Sequence, residues 1–267
     1  MLRGPRMRAL VKRALAGTGP RRAASGITIL TYHRVGGGSL DERDLDSAAF
    51  AAQLEVLGRA DVISLDEASE RLASGDRRSG VVLTFDDGFA DVYDNAWPLL
   101  RGRRLPFTLF LATRYVGGRM RWEGSTAKAD GAALTWDQIG ELTCSGLCTV
   151  GNHTHSHVPP DRLSTGELDA CSAAVERRLG VRPRHFAYPW GVPVAGLEGE
   201  LRRRFRTAAT GVVGRNLPGV DPMRLRRVPV RRTDPPEFFA AKLSGRLVPE
   251  RAYGALVATA KKAGARA

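Results

Sequence analysis

Apolar and polar positions alternate along this chain in blocks of two lengths. Ile27-Thr28-Ile29-Leu30-Thr31-Tyr32 is an unbroken β-prone run. Val81-Val82-Leu83-Thr84-Phe85, Phe107-Thr108-Leu109-Phe110-Leu111, Thr149-Val150, Arg184 to Pro189, Thr207 to Thr210 and Leu225 to Val230 repeat the pattern. Runs this short and this apolar predict strands buried on both faces, as in a parallel sheet. Val62 to Leu65 predicts one more short strand. Between them, apolar residues fall at helical spacing over 45–57, with Phe50, Leu54 and Leu57 on one face, and over 66–73, 89–100, 136–144, 163–179 and 197–205. Thr135 supplies a cap and Gly180 a stop. About seven strands alternating with helices, with no short internal repeat, predict a single α/β domain whose parallel sheet curls into a barrel.

The alternation occupies residues 26–233. Residues 1–25 hold seven Arg and Lys and no acid. They form one short amphipathic helix or a flexible basic leader, and Lys12 and Arg13 interrupt the apolar run that a signal peptide needs. No stretch approaches the roughly 20 apolar residues of a membrane-spanning helix, so the expected location is the cytoplasm or the periphery of a membrane. Residues 234–267 predict a peripheral helix and a basic tail. Tyr115 to Ala133 is a long loop of the kind that often binds ligands; its Trp122 either stacks on a ligand or covers the core.

Composition changes the picture little. Lys and Arg number 41 against 28 acids, a net +13, which suits a polyanion, an acidic glycan or an anionic lipid surface as partner. Only five of the basic residues are Lys and 36 are Arg, so genomic base composition explains the excess about as well. Cys144, Cys148 and Cys171 show no paired spacing, which argues against a disulfide framework, a structural metal site or a catalytic thiol.

The chemistry concentrates at strand ends. The run at 81–85 stops at Asp86-Asp87-Gly88, delivering two carboxylates to a strand exit, where side-chain alternation sends them in different directions. The alternative is an acidic connection that only caps the next helix. Gly151-Asn152-His153-Thr154-His155-Ser156-His157 decides between them, because three of five histidines fall within five residues. His153 and His157 have the spacing of neighbours on a helical turn, and with Asp87 they make an open two-His, one-carboxylate set suited to Zn2+, or to Co2+ or Ni2+. His155 is left over.

Thr84-Phe85-Asp86-Asp87-Gly88, then His153-Thr154-X-X-His157, then Phe186-Ala187-Tyr188-Pro189-Trp190-Gly191 resemble, in order, the motifs of the polysaccharide deacetylases of carbohydrate esterase family four. Tyr32-His33-Arg34-Val35 resembles the branch acting on exopolysaccharides such as poly-N-acetylglucosamine. The resemblance runs from about Ile27 to Val230 and implies a distorted (β/α)7 barrel and metal-dependent removal of N-acetyl groups from a glycan. It implies Asp86 as base, the Trp190 backbone N–H beside the oxyanion, and Tyr188 and Trp190 as apolar faces for a sugar. Ala187 stands where many relatives carry an Arg that steadies the base, so that charge is sought in Arg227, whose alternative is a solvated arginine. No His follows His185, so the acid is sought in His33, whose alternative is a strand-end His that only hydrogen-bonds. The expected partner is carbohydrate and not a specific nucleic acid, with a peripheral contact to anionic membrane through residues 1–25. The competing readings are an O-acetyl esterase or small-amine deacetylase, and a catalytically silent protein that binds an anionic polymer or membrane.

Overall fold

The computed structural model describes residues 4–19, 25–122 and 130–264. Strand β1 (Ile27–Tyr32) leads into a separate two-residue ladder of β2 (Arg34–Val35) with β3 (Asp44–Leu45). β1 then joins β4 (Gly80–Phe85), β5 (Phe107–Leu111), β6 (Cys148–Asn152), β7 (His185–Ala187), β8 (Thr207–Val213) and β9 (Leu225–Pro229) in a closed, all-parallel barrel in that order. The seven-stranded barrel expected from the sequence is therefore formed. Its seam is uneven: β1 and β4 share six register pairs from Ile27↔Gly80 to Tyr32↔Phe85, whereas β9 meets β1 at Leu30↔Val228 and Thr31↔Pro229.

Side-chain alternation sorts the strands into two layers. Ile29, Val82, Phe110, Ala187, Ala209 and Leu225 fill the interior, closed at one end by Ile63, Leu65, Ala68 and Leu72. Leu30, Leu83, Phe85, Leu109 and Val150 face outward beneath the helices. Carrying the interior parity past the last apolar layer reaches His33 after β1, Asp86 after β4, His153 after β6 and Arg227 within β9, so the pattern that builds the core also fills the barrel mouth with polar groups.

The surrounding helices are α2 (Ser47–Leu57), α3 (Leu65–Ala73), α4 (Trp97–Gly102), α5 (Trp136–Cys144), α6 (Thr165–Leu179) and α7 (Glu198–Arg204). Thr135 and Gln138 form a reciprocal capping box on α5, and Gly180 ends α6 with φ 69°. Two expectations change. Val62 makes only an isolated bridge to Val81, because Ser64 already caps α3, and the helix expected over 89–100 starts as a π-helical turn at Val92–Ala96 before α4. Phe89, just before it, pairs instead in an isolated bridge with Ala133, and the Arg34 guanidinium packs on this start, 2.7 Å from Asp91 and 4.6 Å from the Phe89 ring.

The terminal segments are ordered by each other. Residues Pro5–Ala16 form α1, which packs on α8 (Pro236–Leu243) and α9 (Val248–Gly264). Fully buried Lys12 donates to Thr233 Oγ1 and Asp234 Oδ1, both at 2.7 Å, while Lys242 binds Asp234 Oδ2 at 2.6 Å and Glu250 Oε2 at 3.0 Å. Burial pushes the Asp234 carboxyl up, but Lys242 and Lys12 outweigh it and hold it below the usual range. Instead of one peripheral helix and a loose tail, 234–264 is a helical pair latched to α1. Arg3, Arg21 and Arg22 lie outside the described residues, and no helix among those described is long and apolar enough to cross a membrane.

Candidate active site

A cavity of about 250 Å³ opens at the C-terminal ends of the barrel strands, lined by His33, Asp86, Asp87, His153, His157, Trp190 and Arg227 together with Thr31, Arg43, Gly191, Gly211 and Pro229. Seven of the eight site residues expected from the sequence thus meet in one place. The exception is Tyr188. It was expected to offer a face to sugar, but it is fully buried against Phe186, Leu168, Leu201 and Phe205. Its strand parity is that of Phe186, which faces the helices, while Ala187 between them faces inward.

Asp86 and Asp87 reach the cavity by different routes. Asp86 continues the ladder, its N–H donating to Tyr32 O at 3.0 Å, and its side chain follows interior parity. Asp87 should then point outward, yet its left-handed backbone, φ 76°, turns it back into the mouth beside Asp86. Gly88 makes room for that turn: its φ is 104°, and a Cβ there would lie 2.8 Å from Leu111 Cδ2. The two histidines also meet differently from expectation. No helical turn carries them; the loop after β6 brings them together with left-handed backbone at Thr154, φ 67°, and His157, φ 50°. Trp190 is a further non-glycine residue in this region, at φ 62°, so strained backbone concentrates around the cavity.

Asp87 Oδ1 lies 3.4 Å from His153 Nε2 and 3.4 Å from His157 Nε2, and this buried oxygen has no hydrogen-bond partner. Donors held at about 2.0–2.1 Å by one tetrahedral ion lie about 3.4 Å apart, the separation seen between Asp87 and each imidazole, and ligand atoms of all three residues lie within 4.8 Å of one another, a grouping that could hold a metal ion. His153 Nδ1 donates to Ala187 O at 2.8 Å, which leaves its Nε2 lone pair for the site. Burial pushes the Asp87 carboxyl up, but the two imidazoles outweigh it and hold it well below the usual range. Asp87 is therefore ionised at neutral pH, as a candidate metal ligand must be.

Asp86 has a separate partner. Arg227 donates from Nη1 to Asp86 Oδ1 at 2.7 Å and from Nε to Thr210 O at 3.0 Å. Burial raises the Asp86 pKa, while Arg227, His153 and His33 together lower it further, so the carboxylate is ionised and fixed without being consumed as a ligand. Arg227, whose alternative was a solvated arginine in a basic run, is buried and directed at Asp86, as the steadying role requires. His33 Nδ1 is buried without a partner, and burial, opposed by Asp87 and Asp86, holds this imidazole below its ordinary range. His155 turns away, with Nδ1 2.9 Å from Thr113 Oγ1, and His185 pairs with Asp66 at 3.1 Å outside the cavity.

Arg43 was not anticipated. Its guanidinium grips Asp41 through Nε at 3.0 Å and Nη2 at 3.1 Å and reaches the cavity from the loop before β3. Nothing in the sequence distinguishes it from the other arginines. Gly191 and Gly211 pack backbone to backbone, a Cβ on Gly191 meeting Gly211 Cα at 2.7 Å, and this contact sets the half-exposed Trp190 ring on the cavity rim.

Part of the chain is similar in sequence, and most of it in fold, to known proteins. Residues 74–198 match the family described as Polysaccharide deacetylase. The chain is 27% identical over 127 residues to the poly-beta-1,6-N-acetyl-D-glucosamine N-deacetylase of Staphylococcus epidermidis, covering 43% of this chain and 42% of that protein. It spans under half the length of the curated relatives it matches. The structure of IcaB from Ammonifex degensii superposes with a TM-score of 0.70 at 29% identity, covering 84% of this chain and 100% of that one. The deacetylase PplD of Streptococcus pyogenes, solved with acetate, shares the fold at a TM-score of 0.70 and 22% identity over 82% of this chain and 99% of its own.

Proposed function

We propose that this chain, whose residues 74–198 match the polysaccharide deacetylase family, is a metal-dependent hydrolase that removes N-acetyl groups from an N-acetylhexosamine polysaccharide, with Zn2+ held by Asp87, His153 and His157. The observation that carries this reading is the orphaned Asp87 oxygen set 3.4 Å from each of two imidazole nitrogens, next to a second carboxylate that has its own arginine. The glycan class rests on the likeness to the staphylococcal enzyme, and Co2+ or Ni2+ suits the same donor set.

Asp87, His153 and His157 would hold the ion, which when bound would supply Lewis acidity, lowering the pKa of water toward about 7 and polarising the acetyl carbonyl. Asp86, ionised and oriented by Arg227, takes the proton of the attacking water. The Trp190 backbone N–H, at a left-handed residue on the rim, is the donor assigned to the oxyanion, and the Trp190 ring offers an apolar face to the sugar. His33 gives a proton to the amine nitrogen as the carbon–nitrogen bond breaks and acetate leaves.

Acetate release is to be measured with N-acetylglucosamine oligomers, O-acetylated glycans and small acetylated amines, before and after chelation and with Zn2+ restored. Metal-restored release from the oligomers supports the reading. Release confined to the esters or small amines replaces the substrate, and none from any of them, alongside salt-sensitive retention on polyanions, replaces the enzyme with a binding protein.

A further inference from the structure

The two imidazoles of the triad are secured in unlike ways. His153 has a hydrogen bond from Nδ1 to Ala187 O, whereas His157 Nδ1 is buried with no hydrogen-bond partner. His157 also sits on left-handed backbone, φ 50°, a conformation that a bulky residue keeps only when its surroundings impose it. A ligating imidazole needs its ring plane fixed, and a hydrogen bond to the second nitrogen usually does this. At His157 the restraint is aromatic. The Trp122 ring lies 4.1 Å from the imidazole centroid with 36° between planes, and Trp190 lies 5.5 Å away. Trp122 is itself buried among Phe89, Ala112, Met120 and Ala133, and Tyr115 Oη donates to Ser156 O at 2.9 Å, tying down the residue before His157.

We propose that Trp122 is a positioning residue for the metal site, acting through His157: its ring holds the imidazole plane that a hydrogen bond holds at His153. The proposal rests on the metal-dependent reading above. It also gives the long connection after β5 a task that is neither sugar stacking nor simple core cover, since Trp122 faces a candidate ligand.

The test measures metal affinity, independent of substrate, by competing Zn2+ and Co2+ between the full chain and a chromogenic chelator. W122A is expected to lose affinity by about 10- to 100-fold, the usual cost of removing a group that orients a ligand. W122L, which keeps apolar volume without a ring, is expected to lose most of that affinity, and W122F, which restores a ring, to retain most of it. F89L loosens the same cluster without touching His157 and is expected to bind like the parent. Melting of the metal-free variants identifies any that fail to fold, and W122L against W122F then decides. Parent-like affinity in W122L and W122A, or an equal loss in F89L, overturns the role of Trp122 while leaving the metal site standing. A parent chain that binds neither ion overturns both.

Discussion

Arg227 donates from Nη1 to Asp86 Oδ1 at 2.7 Å although 141 residues separate the two in the chain. Both are buried, so removing the guanidinium leaves an uncompensated carboxylate, a change that costs about 3–5 kcal/mol. Because the folded Asp86 pKa lies below its unfolded value, the pair stabilises the fold at pH above that unfolded value. The stability is lost as pH falls through the folded pKa. R227A is therefore expected to be less stable at pH 7 by denaturant titration, to begin acid unfolding at higher pH, and to move the acid limb of its rate profile upward. An unshifted acid limb would mean that Asp86 is not the base.

The neighbouring acids should separate cleanly. D86N is expected to bind metal like the parent while acetate release falls below detection. D87N is expected to lose both, since Asp87 alone of the two faces the imidazoles at 3.4 Å. Metal content by plasma emission and acetate assay on the same preparations check this. Equal metal loss in the two variants would make Asp86 a ligand as well.

His33 is expected to matter according to the leaving group. An amine must be protonated to depart, and loss of a general acid typically costs about 100- to 10,000-fold, whereas an activated phenol leaves unaided. H33A should therefore collapse on an N-acetylglucosamine oligomer, lose the high-pH limb of its profile there, and hydrolyse an aryl acetate at near-parent rate with metal content unchanged. Equal, modest losses on both substrates would mark His33 as structural.

Tyr188 and Trp190, two residues apart, should behave as opposites. The buried Tyr188 hydroxyl has no hydrogen-bond partner, so Y188F is expected to leave kcat/KM and Tm near parent values, while Y188A empties a core site at a cost of about 3–5 kcal/mol. W190A is expected to keep fold and metal but raise KM for oligomers more than for small acetylated substrates. A Y188F variant with selectively impaired oligomer turnover would contradict the burial seen here.

Much of this site could be read in advance, and the limits have physical causes. Asp86, Asp87, His153 and His157 are local signals, each set within a few residues at a strand end. Arg227 stood out from 36 arginines because it lies in an extended apolar segment, and strand parity then carried it inward. The same parity rule, applied to Phe186 and Tyr188, places both beneath the helices, so Tyr188 was misread through motif likeness where alternation held the answer. Asp87 went the other way, because its positive φ cancels alternation and only the turn geometry shows it. Arg43 and Trp122 depend on how long connections fold over the mouth. Lys12 and Asp234 meet across 222 residues, a pairing for which neither position carries a local sign.

The narrow seam between β9 and β1 has a consequence for how the protein comes into being. Translation proceeds at about 5–20 residues per second, so Arg227 leaves the ribosome on the order of ten seconds after Asp86. His153 and His157 are made about midway through that interval, so for its second half both carboxylates and both imidazoles exist on a nascent chain whose ring is open. The buried Asp86–Arg227 pair is thus completed late in biosynthesis, when the final strand joins the first. A chain cut short before that strand carries both carboxylates and both imidazoles but lacks the arginine partner of Asp86.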